Sequence, residues 1–423
     1  MTKLAINGGK KAVPDGLIKN WPPIDKIDRR YVMNSLESGV HAFGPNCSEF
    51  EKEYAAWNGN KYAITANSGT AALHMAVAAC GVGAGDHVLV SAYSWSSSAT
   101  CIIHHNAIPV FVDVDFDTMN IDVDKIEQAI TPRTKAIIVV HLHGLAVNMK
   151  KVMAVARKHK LKVIEDACQA HGALFQGRKT GLWGDCAAFS FNQNKCLCSG
   201  EGGMFTTDQE ELYQAARQIW SFGETRTPVE SRDYHAYALG WMYRNNELSA
   251  AFGRAQLTKL SGYLQIQRAN VAVLLKGLRG IKGLILPVEP AGHKHNWYNY
   301  TSRLDPRGLG WNGEPVLFRD AVMKALQAEG VPVGVWQHFI LPAMTVFRAK
   351  NAYGKGCPWT CQHGVDVEYD PKAYPVAQRR CDNHFGMTTP LRAPNGPEAA
   401  RAVADGFRKV IENIGELDVE KNG

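Results

Sequence analysis

Three short segments of this chain combine residue types and spacings that can do chemistry. The first is Ile164-Glu165-Asp166-Ala167-Cys168-Gln169-Ala170-His171-Gly172, where an apolar run ends on a carboxylate. If that run is a parallel strand, Asp166 sits at the C-terminal sheet edge, where α/β proteins bind ligands. A carboxylate there can take a ribose hydroxyl, hold a metal, pair with a protonated ring nitrogen, or simply cap a loop. The second is Phe189-Ser190-Phe191-Asn192-Gln193-Asn194-Lys195, continuing through Cys196-Leu197-Cys198-Ser199 into Gly200-Glu201-Gly202-Gly203. A strand-like run ends near Ser190, and a lysine follows within one turn's reach. A lysine so placed can condense with a carbonyl to form an imine, and Ser190 can offer its hydroxyl to a phosphate. Alone, such a lysine is ordinary surface decoration; the strand-end aspartate upstream shifts the balance towards chemistry.

The third segment is Asn67-Ser68-Gly69-Thr70-Ala71-Ala72-Leu73, between an apolar run and a helical pattern. Gly69 permits close backbone approach, and the Ser68 and Thr70 hydroxyls with the first helical N–H groups can bind an anion. By itself this is also a plain helix cap. Trp95, at the head of the next helical stretch, can present an aromatic face at the same edge or pack in the core. Other motifs fail on detail. Gly172-Ala173-Leu174-Phe175-Gln176-Gly177-Arg178-Lys179-Thr180 approaches a P-loop, but Arg178 intrudes where lysine should follow glycine. No G-x-G-x-x-G opens the first βα unit, and no G-x-S-x-G elbow occurs.

The elements that must position these residues follow from hydropathy. Near-continuous apolar runs at 62–66, 87–91, 109–114, 136–141, 163–166, 187–191 and 204–207 read as strands buried on both faces. Helical patterns at 70–80, 96–105, 123–130, 149–159 and 210–222 alternate with them. The alternation predicts an α/β large domain with a mainly parallel seven-stranded sheet covered by helices. Beyond it, 247–278 reads as a long helical region interrupted near Ser261-Gly262. A strand at 297–304, a helix at 315–329 and a strand at 331–336 follow. A last helix is expected after Asn395 as N-cap with Pro397 in its first turn, and 354–371 reads as a loop. The division is residues 1–260 for the N-terminal segment and large domain, and 261–423 for a smaller α+β domain.

Composition narrows the function classes. The 423 residues are 45% hydrophobic and 21% charged, with a formal charge of +7, which suits a globular protein. The densest basic stretch, Lys150-Lys151 with Arg157-Lys158-His159-Lys160, falls on a helical pattern and reads as a solvated face, so no nucleic-acid partner is expected. No apolar run reaches bilayer length, and Met1–Gly9 lacks a signal-peptide core, so no membrane association and a cytoplasmic location are expected. Ten scattered cysteines then read as reduced thiols. Cys357, Cys361 and His363, or Cys196 with Cys198, lack the paired spacing of a zinc site, so no metal is expected.

Several motifs together resemble one family, the StrS/DegT group of sugar aminotransferases. They are Gly44-Pro45 with Phe50-Glu51, Ser68-Gly69-Thr70-Ala71-Ala72-Leu73, Pro109-Val110-Phe111-Val112-Asp113-Val114 and Thr131-Pro132-Arg133-Thr134-Lys135-Ala136. His141-Leu142-His143-Gly144, Glu165-Asp166, Phe189-Ser190-Phe191 with Lys195, and Gly200-Glu201-Gly202-Gly203 complete the set. The resemblance spans nearly the whole chain. The run Asn192-Gln193-Asn194, and His338 with Cys357-Pro358-Trp359, are similar to the branch acting on six-membered carbocycles. That branch includes scyllo-inosose aminotransferases and 3-amino-5-hydroxybenzoate synthase.

The resemblance implies a PLP-dependent transferase fold of the aspartate aminotransferase type, with pyridoxal 5′-phosphate (PLP) as cofactor. It makes Lys195 the Schiff-base and proton-shuttling lysine, and Asp166 the partner of the pyridinium nitrogen. Gln169 would contact the ring's phenolic oxygen or the substrate, Trp95 would stack on the ring, and Ser68, Gly69, Thr70 and Ser190 would hold the phosphate. His171 and His338 would touch substrate. The family is usually a homodimer whose partner completes the phosphate site from the stretch matching 240–250. Here Met242 stands where many relatives have Asn, leaving Arg244 or Asn245 as substitutes. Family dehydratases replace the lysine with His, so Lys195 favours full transamination. The expected reaction moves an amino group from glutamine or glutamate to a keto-cyclitol or keto-sugar by a ping-pong route. A nucleotide-linked keto-sugar is the alternative acceptor, and a non-catalytic PLP sensor the alternative from another class.

Overall fold

In a computed structural model of the chain, which describes residues 3–225, 234–365 and 367–419, the apolar runs between 62 and 207 form one seven-stranded sheet. Its strands are β1 (Tyr62–Ala66), β2 (His87–Ser91), β3 (Ile108–Val112), β4 (Thr134–Val140), β5 (Lys162–Asp166), β6 (Cys186–Ser190) and β7 (Gly203–Thr207). The order is β1-β7-β6-β5-β4-β2-β3; β7 pairs antiparallel with β1 and β6, and all other pairs are parallel.

Side chains alternate between two cores because successive residues of a strand face opposite sides. Val88, Val90, Ala136 and Ile138 pack under the helices Gly69–Ala79, Ser97–Ile103 and Glu210–Trp220. Leu89, Ile137, Val139 and Val163 meet Met149, Val152 and Ala156 of the helix Met149–His159 on the other face. Towards the β1 edge, Ala187, Phe189 and Met204 pack on the helices Pro45–Asn58 and Glu247–Leu278.

A second core surrounds the three-stranded antiparallel sheet of Leu284–Ile285, Tyr300–Leu304 and His384–Met387. The helices Pro315–Ala328 and Pro397–Glu412 cover it, with Val271, Leu274 and Leu278 from the end of Glu247–Leu278. Leu4 and Val13 also join this core, whereas Ile340, Leu341, Phe347, Trp359 and Tyr369 pack on the large sheet's helices. Chain order and spatial lobe therefore differ at both ends of the expected 260/261 division.

Several expected elements differ from those observed. The helix Glu247–Leu278 is continuous through Ser261-Gly262. A side chain at Gly262 would meet nothing within 4 Å, so this glycine faces open space and weakens the helix without breaking it. The 123–130 helix is instead two 3₁₀ turns, Val123–Lys125 and Glu127–Ala129. Trp297 adopts φ +62°, which delays the next strand to Tyr300–Leu304. The 331–336 strand reduces to one bridge between Gly334 and Gly386. Gly396, not Asn395, caps the last helix. Asn395 Oδ1 instead accepts from Lys19 N at 2.7 Å, tying down the N-terminal segment. Cys357 and Cys361 form a disulfide, against the expectation of reduced thiols; their Cα atoms lie 5.4 Å apart in the glycine-rich loop. The other eight cysteines are free. No helix among the described residues is long and apolar enough to cross a membrane, and none of their His, Cys, Asp and Glu side chains group as a metal site.

Candidate active site

A cavity of about 570 Å³ opens at the C-terminal edge of the sheet, between the two cores. Four strand ends supply its large-domain wall. Asp166 ends β5, Ser190 ends β6, Ser68-Gly69-Thr70 follow β1, and Trp95 follows β2; all line the cavity with Gln169 and Lys195. The carboxylate is buried and accepts hydrogen bonds from Ser98 Oγ (2.7 Å) and Cys168 N (3.2 Å). Ser98 is in turn 2.7 Å from Ser94 Oγ. Burial pushes the Cys168 thiol well above its ordinary pKa, reinforced by the Asp166 charge, so this sulfur stays protonated.

The helix Gly69–Ala79 aims its start at the same wall, with Ser68 Oγ accepting from Ala71 N at 3.1 Å. A Cβ on Gly69 would stand 2.7 Å from Ser190 Cβ and 3.1 Å from Cys168 Sγ. Only glycine lets the helix N-terminus approach Ser190 this closely. Lys195 rises from a turn in which its N–H donates to Asn192 O at 2.8 Å. Its Nζ lies 3.4 Å from Tyr298 Oη and 4.7 Å from that ring's centroid. Gln169 Oε1 accepts from His143 N at 2.7 Å, which leaves its amide NH₂ to donate. Trp95 is 53% exposed and offers a broad uncovered face.

The remaining expected residues are placed elsewhere. His171 is fully buried, with Ser190 O 2.9 Å from Nε2 and Tyr54 Oη 3.0 Å from Nδ1, and its ring stacks on Phe191. It does not line the cavity, because Gly172 turns the chain inward against Trp57 and Leu264; it braces the β6 end from behind. His338 is exposed, two residues beyond the cavity-lining Trp336. Arg244 and Asn245 are absent from this cavity. Arg244 packs 5.5 Å from the Phe222 ring, and Asn245 is buried with Oδ1 accepting from Asn246 N at 2.8 Å.

Sequence reasoning missed Tyr298, Trp336 and Thr388, which form the wall contributed by the later part of the chain. It also missed Ser98, whose one signal is the serine run Ser96-Ser97-Ser98 beside Trp95. His143, at φ +56°, carries a buried Nε2 with no hydrogen-bond partner, and its ring lies 5.0 Å from Trp336. Burial holds its pKa well below the ordinary value, helped by nearby His384, Arg380, His295 and Lys195.

A lysine amine and a buried carboxylate share one cavity, beside a helix start and a serine hydroxyl at the edge of the seven-stranded sheet. The particular family follows from sequence. The chain belongs to the DegT/DnrJ/EryC1/StrS aminotransferase family, whose profile matches residues 22–364. It is 39% identical over 312 residues to GDP-perosamine synthase of Caulobacter vibrioides, covering 73% of this chain and 81% of that protein. It is 32% identical over 424 residues to a Micromonospora echinospora protein named as an L-glutamine:3-amino-2,3-dideoxy-scyllo-inosose aminotransferase, covering 98% of both. The crystal structure of 3-amino-5-hydroxybenzoic acid synthase superposes with a TM-score of 0.83 at 27% identity, covering 95% of this chain and all of the other. The protein is thus a PLP-dependent aminotransferase. Its residues fit that cofactor: the Ser190 hydroxyl and the start of the helix Gly69–Ala79 stand together on the cavity, with no room between them for a Cβ at Gly69, and the buried, doubly hydrogen-bonded Asp166 lies on the same cavity.

Proposed function

We propose that this enzyme transfers an amino group from glutamine or glutamate to a keto-cyclitol or free keto-sugar in two half-reactions, with Lys195 as the Schiff-base lysine. The observation that carries the reading is the convergence of Lys195 and Asp166 on one cavity beside the Gly69 helix start. When bound, PLP supplies an electron sink for the carbon that loses its proton. The chain's own residues do the rest. Asp166, fixed by Ser98 and the Cys168 N–H, keeps a ring nitrogen protonated. Ser68, Gly69, Thr70 and Ser190 would hold the phosphate at the positive end of the helix. Trp95 would cover one ring face, and Gln169 would offer its amide to the ring oxygen. Lys195 Nζ, steadied by the Tyr298 hydroxyl, takes up and returns the proton on one side of the cavity.

The acceptor class is supported by the rest of the cavity lining. Trp336 and Tyr298 give aromatic faces, while Asn192, Asn194 and Thr388 give donors and acceptors, a combination suited to a polyhydroxylated six-membered ring. The end-to-end match to the inosose aminotransferase favours this acceptor. A nucleotide-linked keto-sugar is the second reading, favoured by the higher identity to GDP-perosamine synthase. Homodimerisation belongs to the same reading, with Arg244 or Asn245 of each subunit completing the phosphate site of the other. The exposed apolar side chains Tyr234, Tyr237, Leu239 and Met242 lie on the segment leading to them.

A screen of donors against inososes, free keto-sugars and nucleotide-linked keto-sugars, read by mass spectrometry, tests the acceptor. Amine formed only on nucleotide-linked ketones would replace the first reading by the second. Lys195→Ala should lose the yellow, borohydride-bleachable chromophore and at least about 10²–10⁴-fold of activity; a variant that turned over at the parent rate would refute the mechanism.

A further inference from the structure

Three consecutive carbonyls at the lysine turn are held by side chains from the two far ends of the chain. Trp21 Nε1 donates to Gln193 O at 3.0 Å and to Lys195 O at 3.1 Å. Arg392 Nη1 donates to the intervening Asn194 O at 2.7 Å. The other arm of the same guanidinium, Nη2, donates to Tyr298 O at 2.8 Å. Tyr298 then returns to the lysine through its hydroxyl, 3.4 Å from Nζ. A closed circuit results: the arginine fork holds the backbone beside the amine with one arm and the backbone of the amine's partner with the other.

Arg392 is buried, and its guanidinium carbon lies 5.3 Å from both the Trp21 and the Tyr298 ring centroids. No carboxylate pairs with it among the described residues. Taking a cation out of water without a counter-charge is costly, so simple packing does not account for an arginine here. A planar fork that spans two carbonyls does, and lysine cannot reproduce it. Both Nη atoms are committed to carbonyls and the residue does not line the cavity, so it is not placed to clasp a donor carboxylate.

We propose that Arg392, assisted by Trp21, is a positioning residue for amino-group transfer: it fixes the Lys195 amine against the Tyr298 hydroxyl and so sets the height at which Nζ enters the cavity. The inference rests on Lys195 being the imine-forming lysine. The test uses the PLP-loaded enzyme and its Arg392→Lys, Arg392→Gln and Trp21→Phe variants. Each is measured for the pH titration of its visible absorbance, for kcat and KM separately, and for thermal midpoint. Arg392→Lys should shift the absorbance titration and lower kcat by about 10²-fold, the scale of an ångström-sized misplacement, with acceptor KM little changed. Trp21→Phe should move both in the same direction by less, and it keeps the proposal testable if neither Arg392 variant folds. A lower thermal midpoint with the absorbance titration and kcat of the parent enzyme would overturn the proposal and leave a structural tie. Lys195→Ala separates the two levels: a borohydride-trappable cofactor persisting in that variant would sink the mechanism itself, whatever the Arg392 variants do.

Discussion

The His171 imidazole sits in a dry pocket behind Ser190, and burial depresses its pKa to about 4, with the Lys195 charge pushing the same way and the Ser190 carbonyl opposing. In the unfolded chain the ring takes a proton near pH 6.5. Because the folded value is the lower one, the stability His171 contributes is full above about pH 6.5 and lost as pH falls towards 4. The difference amounts to about 3 kcal/mol at the acid end. Urea midpoints measured from pH 8 to 4 should therefore fall less steeply for His171→Gln than for the parent, although the variant starts lower at pH 8. Equal slopes would show that the ring charges without cost. At this scale the sequence was readable where cavity-lining residues sit at a strand end: Asp166 and Ser190 close apolar runs, and Gly69 and Lys195 follow such runs by a few residues. Tyr298, Trp336, Thr388, Trp21 and Arg392 carry no such mark. The first three reach the cavity, and the last two the lysine turn behind it, only because distant loops converge there, and no local period encodes that.

Among the elements, the helix Gly69–Ala79 has little tolerance at its start, since its first residue leaves no room for a methyl group against Ser190 and Cys168. Gly69→Ala should push the helix start off the β6 end, weaken PLP binding by tenfold or more on the scale of about 1–3 kcal/mol for overpacking, and lower the thermal midpoint. Cofactor titration by absorbance or fluorescence measures the first effect and a melting curve the second; unchanged affinity would mean the phosphate sits elsewhere. The strands were legible because burial on both faces leaves unbroken apolar runs, which shift by only a residue or two in the structure. The misread elements share a different cause. Gly262 looks like a break only if its surroundings are crowded, Trp297 hides its left-handed backbone behind an ordinary strand pattern, and Asn395 caps nothing because Lys19 claims its side chain.

For the molecule as a whole, Leu239 is 72% exposed on the segment that also exposes Tyr237 and Met242. Leu239→Glu should convert a dimer into monomers in sedimentation experiments and loosen PLP retention with it, whereas a monomeric parent protein that held PLP firmly would remove the trans-subunit arrangement. The packing of Leu4 and Val13 with the small sheet, and of Ile340, Leu341, Phe347, Trp359 and Tyr369 with the large one, was not legible, because hydropathy marks what is buried and not where. The 32-residue helix Glu247–Leu278 now has a further meaning. It is a rod about 48 Å long whose first half is packed in one core and whose last turns are packed in the other. Melting either lobe would strand half of the rod in water and fray its ladder from that end. The lobes are therefore coupled as load-sharing neighbours on one beam, and swinging one towards the other means twisting about that beam, because bending it would break its own backbone bonds.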